Sequence, residues 1–253
     1  MHLLDCKGAT ALVIGGILNT LLRDGRLGNC QQARLNSINA RALDWYKQRP
    51  GWIRLPKLLL SNCTGAEGWS VLSGKAIKAA NTRHSVPFWK HLVHELYGDM
   101  AGPEYTSLCG VIDGLDEIYA VLYVEPMFLD AAAMARLRAA CLSFGRCYQK
   151  LREVHRRASS FAFNVTPKIH KVQHLPLLAS CVNPRYVQTY GEESLIGTSC
   201  RTYAGSMSGR YARTIQRTFL YKRLAALPLR FELPSDGRGA YEVWHPRQDT
   251  ARD

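Results

Sequence analysis

Apolar residues recur three and four positions apart through most of the first 158 residues, and this spacing predicts amphipathic helices. Gly15 and Gly16 interrupt the first stripe. Because each glycine weakens a helix by about 1 kcal/mol relative to alanine, the pair indicates a close packing contact. Asp130 is a typical N-cap residue ahead of a run rich in Ala, Leu and Arg. The pattern predicts helices over residues 9–22, 31–48, 69–80, 85–97, 105–124 and 131 to about 157.

The pattern changes after residue 158, where apolar stripes become shorter and basic residues more frequent. It predicts a short extended piece over residues 161–165 and helices over residues 170–181, 192–195 and 210–227. We therefore expect a mainly α fold in three parts. These are a helical domain over residues 1–158, a basic segment containing His and Glu over residues 159–230, and a loose C-terminal tail over residues 231–253.

The charge is unevenly distributed along the chain. The sequence carries 33 Lys and Arg against 20 Asp and Glu, a formal net charge of +13. Residues 150–223 hold 13 Lys and Arg and only three acids, so they contribute ten of those thirteen charges. Because most of the charged residues in this short stretch are positive, a polyanionic partner is favoured. We expect that partner to be DNA, with RNA as the second candidate.

Cysteine spacing and hydropathy narrow the class of protein. The eight cysteines form no C-x-x-C pair, the spacing that a zinc ribbon needs, and disulfide scaffolds occur in shorter chains. No stretch approaches the roughly 18 uninterrupted apolar residues that a membrane span requires. We therefore expect an intracellular protein with reduced thiols and no membrane association.

Two histidines four residues apart, His170 and His174, form the first candidate site. On a helix both imidazoles project from one face, with Lys168 and Lys171 beside them. Lys171 stands where a zincin helix carries its glutamate, which argues against a metalloprotease. Two interpretations stay open: the rings are hydrogen-bonded structural groups, or they contact phosphate and take part in catalysis.

Glu192 and Glu193 stand out because the surrounding segment is so basic. Neighbouring cations lower the pKa of a carboxyl group, and an ionised carboxylate suits a Mg²⁺ ligand in phosphoryl transfer. The alternative is that both acids complement the dipole at a helix N-terminus.

A basic stripe with interleaved tyrosines follows after residue 206. Arginine binds phosphate through two parallel hydrogen bonds, so this stripe fits a nucleic-acid backbone; the alternative is a solvated helix face. The predicted nucleic-acid-binding residues are Lys168, Lys171, Arg185, Arg210, Arg213, Arg217, Lys222 and Arg223.

Several short motifs occur in a fixed order along the chain. They are Met1-His2 before an apolar helix, Gly74-Lys75-Ala76 with His84-Ser-Val-Pro87, Pro167-Lys168-Ile-His170-x-x-x-His174-Leu-Pro176, and Glu193 ahead of Leu-Ile-Gly197. This order resembles the C-terminal half of the CACTA (En/Spm-like) transposases of mobile elements. The resemblance covers residues 1–225, although Ser194 stands where that family would carry a basic residue.

The resemblance implies a role for each part of the chain. Glu193 would be the last acid of an RNase H-like Asp-Asp-Glu set and a Mg²⁺ ligand, with His170 and His174 as catalytic residues beside it. The helical domain would be the insertion that interrupts the RNase H-like sheet, and the basic segment the last part of that truncated domain. One glutamate cannot hold two Mg²⁺ ions. Catalysis would therefore require a missing N-terminal portion or a homo-oligomer, and a DNA partner implies the nucleus rather than the cytoplasm.

The leading interpretation is a truncated transposase-like fragment that binds nucleic acid and is incomplete for Mg²⁺-dependent phosphoryl transfer alone. The alternative is a basic helical scaffold that binds proteins and has no catalytic activity. A third hypothesis, a Mg²⁺-dependent nuclease, requires another acid near Glu193, for which Asp5, Asp113 and Asp116 are candidates. In the leading interpretation Glu193 faces the His170 and His174 pair.

Overall fold

Helices account for 67% of the residues that the computed structural model describes, which are residues 3–4, 8–63, 70–158, 160–179 and 182–186. These residues contain no β-strand, so the predicted mainly α fold is confirmed. None of their helices is long and apolar enough to cross a bilayer. The α-helices are α1 (Ala9–Arg23), α2 (Gln31–Lys47), α3 (Ala79–His84), α4 (Val86–Tyr97), α5 (Pro103–Val124), α6 (Ala131–Arg157), α7 (Pro167–Val172) and α8 (Leu175–Leu178).

The core is built around α1 and the α5–α6 pair. Nearly every side chain of α1 is buried, which explains why its apolar pattern is denser than that of a surface helix. Helices α5 and α6 are antiparallel and joined by a short loop; a Cβ at Gly114 of α5 would lie 3.1 Å from the Cβ of Phe144 on α6. Large buried side chains, including Trp89 of α4, Phe144 and Tyr148, fill the space between these helices.

The two glycines of α1 make the close packing contacts that the sequence predicts. A Cβ at Gly15 would lie 2.3 Å from the Cα of Val71, and a Cβ at Gly16 would lie 2.6 Å from the ring of Phe163. The segment containing Val71 crosses α1, and the next residue, Leu72, donates its N–H to the carbonyl of Ala11 at 2.8 Å. The glycines therefore let non-helical backbone lie directly on a buried helix.

Two predicted helices are wrong in extent. Residues 70–78 are not helical, because the amide groups of residues 70–73 bond to distant carbonyls: Ser70 N–H donates to Phe161 O at 2.9 Å and Ser73 N–H to Asn62 O at 2.9 Å. The predicted helix over residues 170–181 is divided into α7 and α8. Pro176 lacks the N–H that a continuous helix would need at that position.

Several predicted elements fall beyond the part of the chain that the structure describes. The helices predicted over residues 192–195 and 210–227 and the tail over residues 231–253 lie outside the described residues. The division into parts at residues 158 and 230 stays a prediction.

Candidate nucleic-acid interface

Helix α6 carries a polar face along one side of the core. Its apolar side chains point inward and are buried, among them Leu137, Phe144 and Leu151. As the sequence predicts, the carboxylate of Asp130 caps the helix, and it accepts the N–H of Ala133 at 2.7 Å. The opposite side of α6 faces solvent over the full length of the helix.

The α7–α8 corner presents the predicted histidines and lysines. Ile169 and Val172 are buried and anchor α7, so the intervening His170 and Lys171 are exposed. His174 lies between the two helices and is exposed as well, since α8 begins only at the next residue. The corner thus turns imidazole and ammonium groups outward while its apolar residues hold it to the core.

The two imidazoles contact each other even though the helix is broken. Their Nε2 atoms are 3.0 Å apart, with ring centroids 4.6 Å apart and ring planes at 78°. The intervening Gln173 keeps a helical backbone conformation (φ −66°, ψ −21°), which preserves the i, i+4 spacing of His170 and His174. One ring donates its Nε2–H to the Nε2 of the other ring, which therefore carries its own proton on Nδ1. That remaining Nδ1–H can donate to an anion.

Gly145 of α6 joins this corner to the solvent face of the long helix. A Cβ at Gly145 would lie 2.3 Å from Nε2 of Gln173, so only glycine lets the Gln173 side chain lie against the α6 backbone. Gln173 is flanked by His174, and Gly145 by the exposed Arg146. The contact therefore holds the α7–α8 corner, which carries the histidine pair, against α6.

The cations of α6 greatly outnumber its acids. Residues 131–157 contain seven Lys and Arg and one acid, Glu153. Arg156 and Arg157 hydrogen-bond to Glu153, and these bonds lower the pKa of its carboxyl group to about 2. Arg138, Arg146 and Lys150 are exposed and have no hydrogen-bond or ion-pair partner within the described part of the chain.

Arg185 and Lys168 occupy different surroundings. Arg185 Nη1 donates to the carbonyl of Tyr123 at 3.0 Å, and its guanidinium lies 4.5 Å from the centroid of the Tyr123 ring. Tyr123 is next to the last residue of α5, so Arg185 lies at the C-terminal end of that helix. This end is about 13 Å along the helix axis from Gly114, where α5 packs against Phe144 of α6. Lys168 is half-buried on α7. The structure therefore groups Lys168 and Lys171 with the histidines, and holds Arg185 at the far end of α5.

The two acids of α5 proposed for a nuclease site are engaged in ion pairs. Asp116 bonds to Lys90 at 2.9 Å, and Asp113 bonds to His94 at 2.9 Å and lies 3.5 Å from Lys90. Among the described residues, no three His, Cys, Asp or Glu side chains are grouped so as to hold a metal ion.

The predicted basic stripe after residue 206 lies entirely outside the described residues. It contains the nucleic-acid-binding candidates Arg210, Arg213, Arg217, Lys222 and Arg223. The catalytic and Mg²⁺-binding candidate Glu193 and Asp5 also lie outside the described residues, so the expected approach of Glu193 to the histidine pair stays a prediction.

Arg138 and Arg146 are candidate residues of this interface that were not predicted from the sequence. The stretch of excess positive charge recognised in the sequence begins at Lys150, whereas the basic face of the helix begins twelve residues earlier. Their spacing of eight residues, with Lys150 four residues further on, places all three on one side of a helix. That periodicity was the available signal.

Comparisons with protein-family models, with curated proteins and with solved structures gave no match for this chain.

Proposed function

We propose that this chain is a transposase-like protein that binds nucleic acid, DNA in the first place and RNA in the second. One observation carries the proposal. The exposed imidazoles and ammonium of His170, Lys171 and His174 lie on a corner that packs against α6, a helix whose solvent side carries Arg138, Arg146 and Lys150. The family resemblance and the concentration of charge in residues 150–223 support the same conclusion.

The chemistry of this corner suits phosphate oxygens. An ammonium group and an imidazole N–H are hydrogen-bond donors, and phosphate oxygens are acceptors. Lys171 is exposed and has no partner within the described residues, so it would lose no ion pair on binding.

In this proposal the chain does not catalyse phosphoryl transfer alone. Two-metal phosphoryl transfer requires several acidic ligands, and the resemblance supplies only Glu193. Further carboxylates would come from an N-terminal portion or from a second copy, and Mg²⁺ would bind only to that complete set. A DNA partner also places the protein in the nucleus.

The salt dependence of duplex binding tests the proposal. We expect fluorescence anisotropy with a labelled 20-base-pair duplex to show affinity falling about a hundredfold between 50 and 200 mM KCl. That fall corresponds to about four phosphate contacts. Unchanged affinity over this range would refute the proposal.

A pair of lysine variants localises the contact. Each phosphate contact contributes about 0.9 to the slope of log affinity against log salt concentration. Taking equal affinities at 1 M salt, where this contribution vanishes, Lys171→Gln should weaken binding about eightfold at 0.1 M salt. Lys47→Gln is the matched control, since Lys47 is an exposed lysine already bonded to Asp44 at 2.8 Å. Equal effects of the two substitutions would show that the α7–α8 corner is not part of the interface.

The alternative, a protein-interaction scaffold, is favoured by one apolar surface. Val124, Met127 and Phe128 lie within five residues of one another, and their exposed fractions are 80%, 44% and 68%. Exposed apolar groups of this kind can mark a protein interface. The scaffold is favoured if duplex affinity is absent or independent of salt while Phe128→Ser abolishes co-purification of a protein partner.

A further inference from the structure

We propose that the solvent face of α6 is a docking surface for the sugar-phosphate backbone of duplex DNA, formed by Arg138, Arg146 and Lys150. This inference rests on the proposed nucleic-acid binding and specifies the form of the nucleic acid and the surface that holds it.

The spacing of the cations fits a long, regular polyanion. Steps of eight and four residues from Arg138 through Arg146 to Lys150 keep all three within about a third of the helix circumference. At 1.5 Å per residue they span about 18 Å along the axis, the length of about five base-pair steps in duplex DNA. A rigid row of cations of this length matches the regularly spaced phosphates of a duplex better than it matches the charges of a compact ligand.

Among the described residues, the cations of α6 differ in whether they form ion pairs with α5, and this difference separates a face that stabilises the fold from one that can bind a ligand. Arg136, on the side of α6 that faces α5, bonds to Glu117 at 2.8 Å and to Glu125 at 2.7 Å. Arg138, only two residues further along, is exposed and has no such partner within the described residues, nor has Arg146. Binding phosphate at these positions would break no ion pair of the described structure.

The exposed face of α6 offers the nucleic acid phosphate contacts. The opposite face is buried along its length by residues such as Leu137 and Tyr148, and Gln173 lies against Gly145 at the edge of the exposed face. Arginine and lysine side chains on the exposed face bind phosphate oxygens, and such contacts carry no sequence information. We therefore expect binding to be independent of sequence.

The composition of the exposed face favours a duplex over a single strand. Proteins that hold single strands combine cations with aromatic side chains on which unpaired bases stack. The aromatic residues of α6, Phe144 and Tyr148, are both buried, and its exposed positions are Ala, Arg, Leu, Ser, Gln and Lys. Phosphate contact without stacking gives the greater affinity to the duplex, which has the higher charge density.

The test compares the triple variant Arg138→Gln, Arg146→Gln, Lys150→Gln with the single control variant Arg136→Gln, each in the full chain. Anisotropy titrations with a 20-base-pair duplex and a 20-nucleotide single strand, between 50 and 200 mM KCl, give the affinity and the salt slope. We expect the triple variant to reduce the duplex slope by about 2.7, since each lost contact removes about 0.9. The control should bind within twofold of the original chain, and circular dichroism should show equal helicity for all three proteins.

Three outcomes would overturn the inference. The first is a triple variant with the duplex slope of the original chain; if Lys171→Gln still weakens binding, the proposed function stands and only the role of α6 fails. The second is a single strand bound as tightly as the duplex. The third is anionic vesicles of phosphatidylserine and phosphatidylcholine displacing the duplex from the α6 face, which would make that face a membrane surface.

Discussion

Replacing Gly15 with alanine tests how the fold is held around its central helix. Alanine is favoured over glycine by about 1 kcal/mol inside a helix, so propensity alone predicts a more stable protein. The contact with Val71 predicts the opposite, because the new Cβ would lie 2.3 Å from a backbone atom that cannot rotate away. Separating those atoms to ordinary contact requires a movement of about 1 Å.

The magnitude follows from what that movement disturbs. Overpacking of this kind costs about 1–3 kcal/mol, and moving the segment also strains the hydrogen bond from Leu72 N–H to Ala11 O, worth about 1 kcal/mol. After subtraction of the gain in helix propensity, Gly15→Ala should lower the free energy of unfolding by about 1–3 kcal/mol.

Urea denaturation followed by circular dichroism at 222 nm measures the change. Gly25→Ala is the control, since a Cβ at Gly25 meets no atom within 4 Å; it should leave stability unchanged or raise it slightly. The reasoning is refuted if Gly15→Ala raises the urea midpoint as much as helix propensity alone would.

Three further predictions concern the helix cap, a buried histidine and the histidine pair. Asp130→Ala should cost about 1 kcal/mol of stability by urea denaturation and Asp130→Asn much less, because asparagine also accepts the Ala133 N–H. Burial, with Arg23 and Arg152 nearby, lowers the pKa of His155 from 6.5 to about 4, so the unfolded chain binds the extra proton between these values. The protein should therefore lose roughly 3 kcal/mol of stability as pH falls from 6.5 to 4, and His155→Gln should flatten that dependence in urea titrations at each pH. The double variant His170→Ala, His174→Ala should weaken duplex binding severalfold in anisotropy titrations, because it removes the two imidazole donors beside Lys171.

The sequence predicts the long helices closely because their packing and their local preferences agree. The apolar stripe and the Asp130 cap place α6 within a residue of its observed bounds, and the glycines of α1 correctly indicate close packing contacts. The helix predicted over residues 69–80 is wrong because Val71 and Leu72 are apolar at helical spacing, yet their amides bond to distant parts of the chain. Such tertiary hydrogen bonds have no local signal.

The sequence predicts only part of the candidate interface. The i, i+4 spacing predicts that His170 and His174 lie on one face, whereas the break between them follows from Pro176, which has no N–H to donate to the preceding turn. The role of Gly145 could not be predicted, because the side chain that needs its space, Gln173, lies 28 residues further along the chain.

The salt dependence of duplex binding by the full chain tests the central claim most directly. Four cations without described ion-pair partners, Lys171, Arg138, Arg146 and Lys150, line the interface, and each phosphate contact contributes about 0.9 to the slope of log affinity against log salt. The account predicts that the slope of log affinity against log salt concentration is about −3.6 or steeper between 50 and 200 mM KCl. A slope near zero, or no binding at 50 mM KCl, would contradict it.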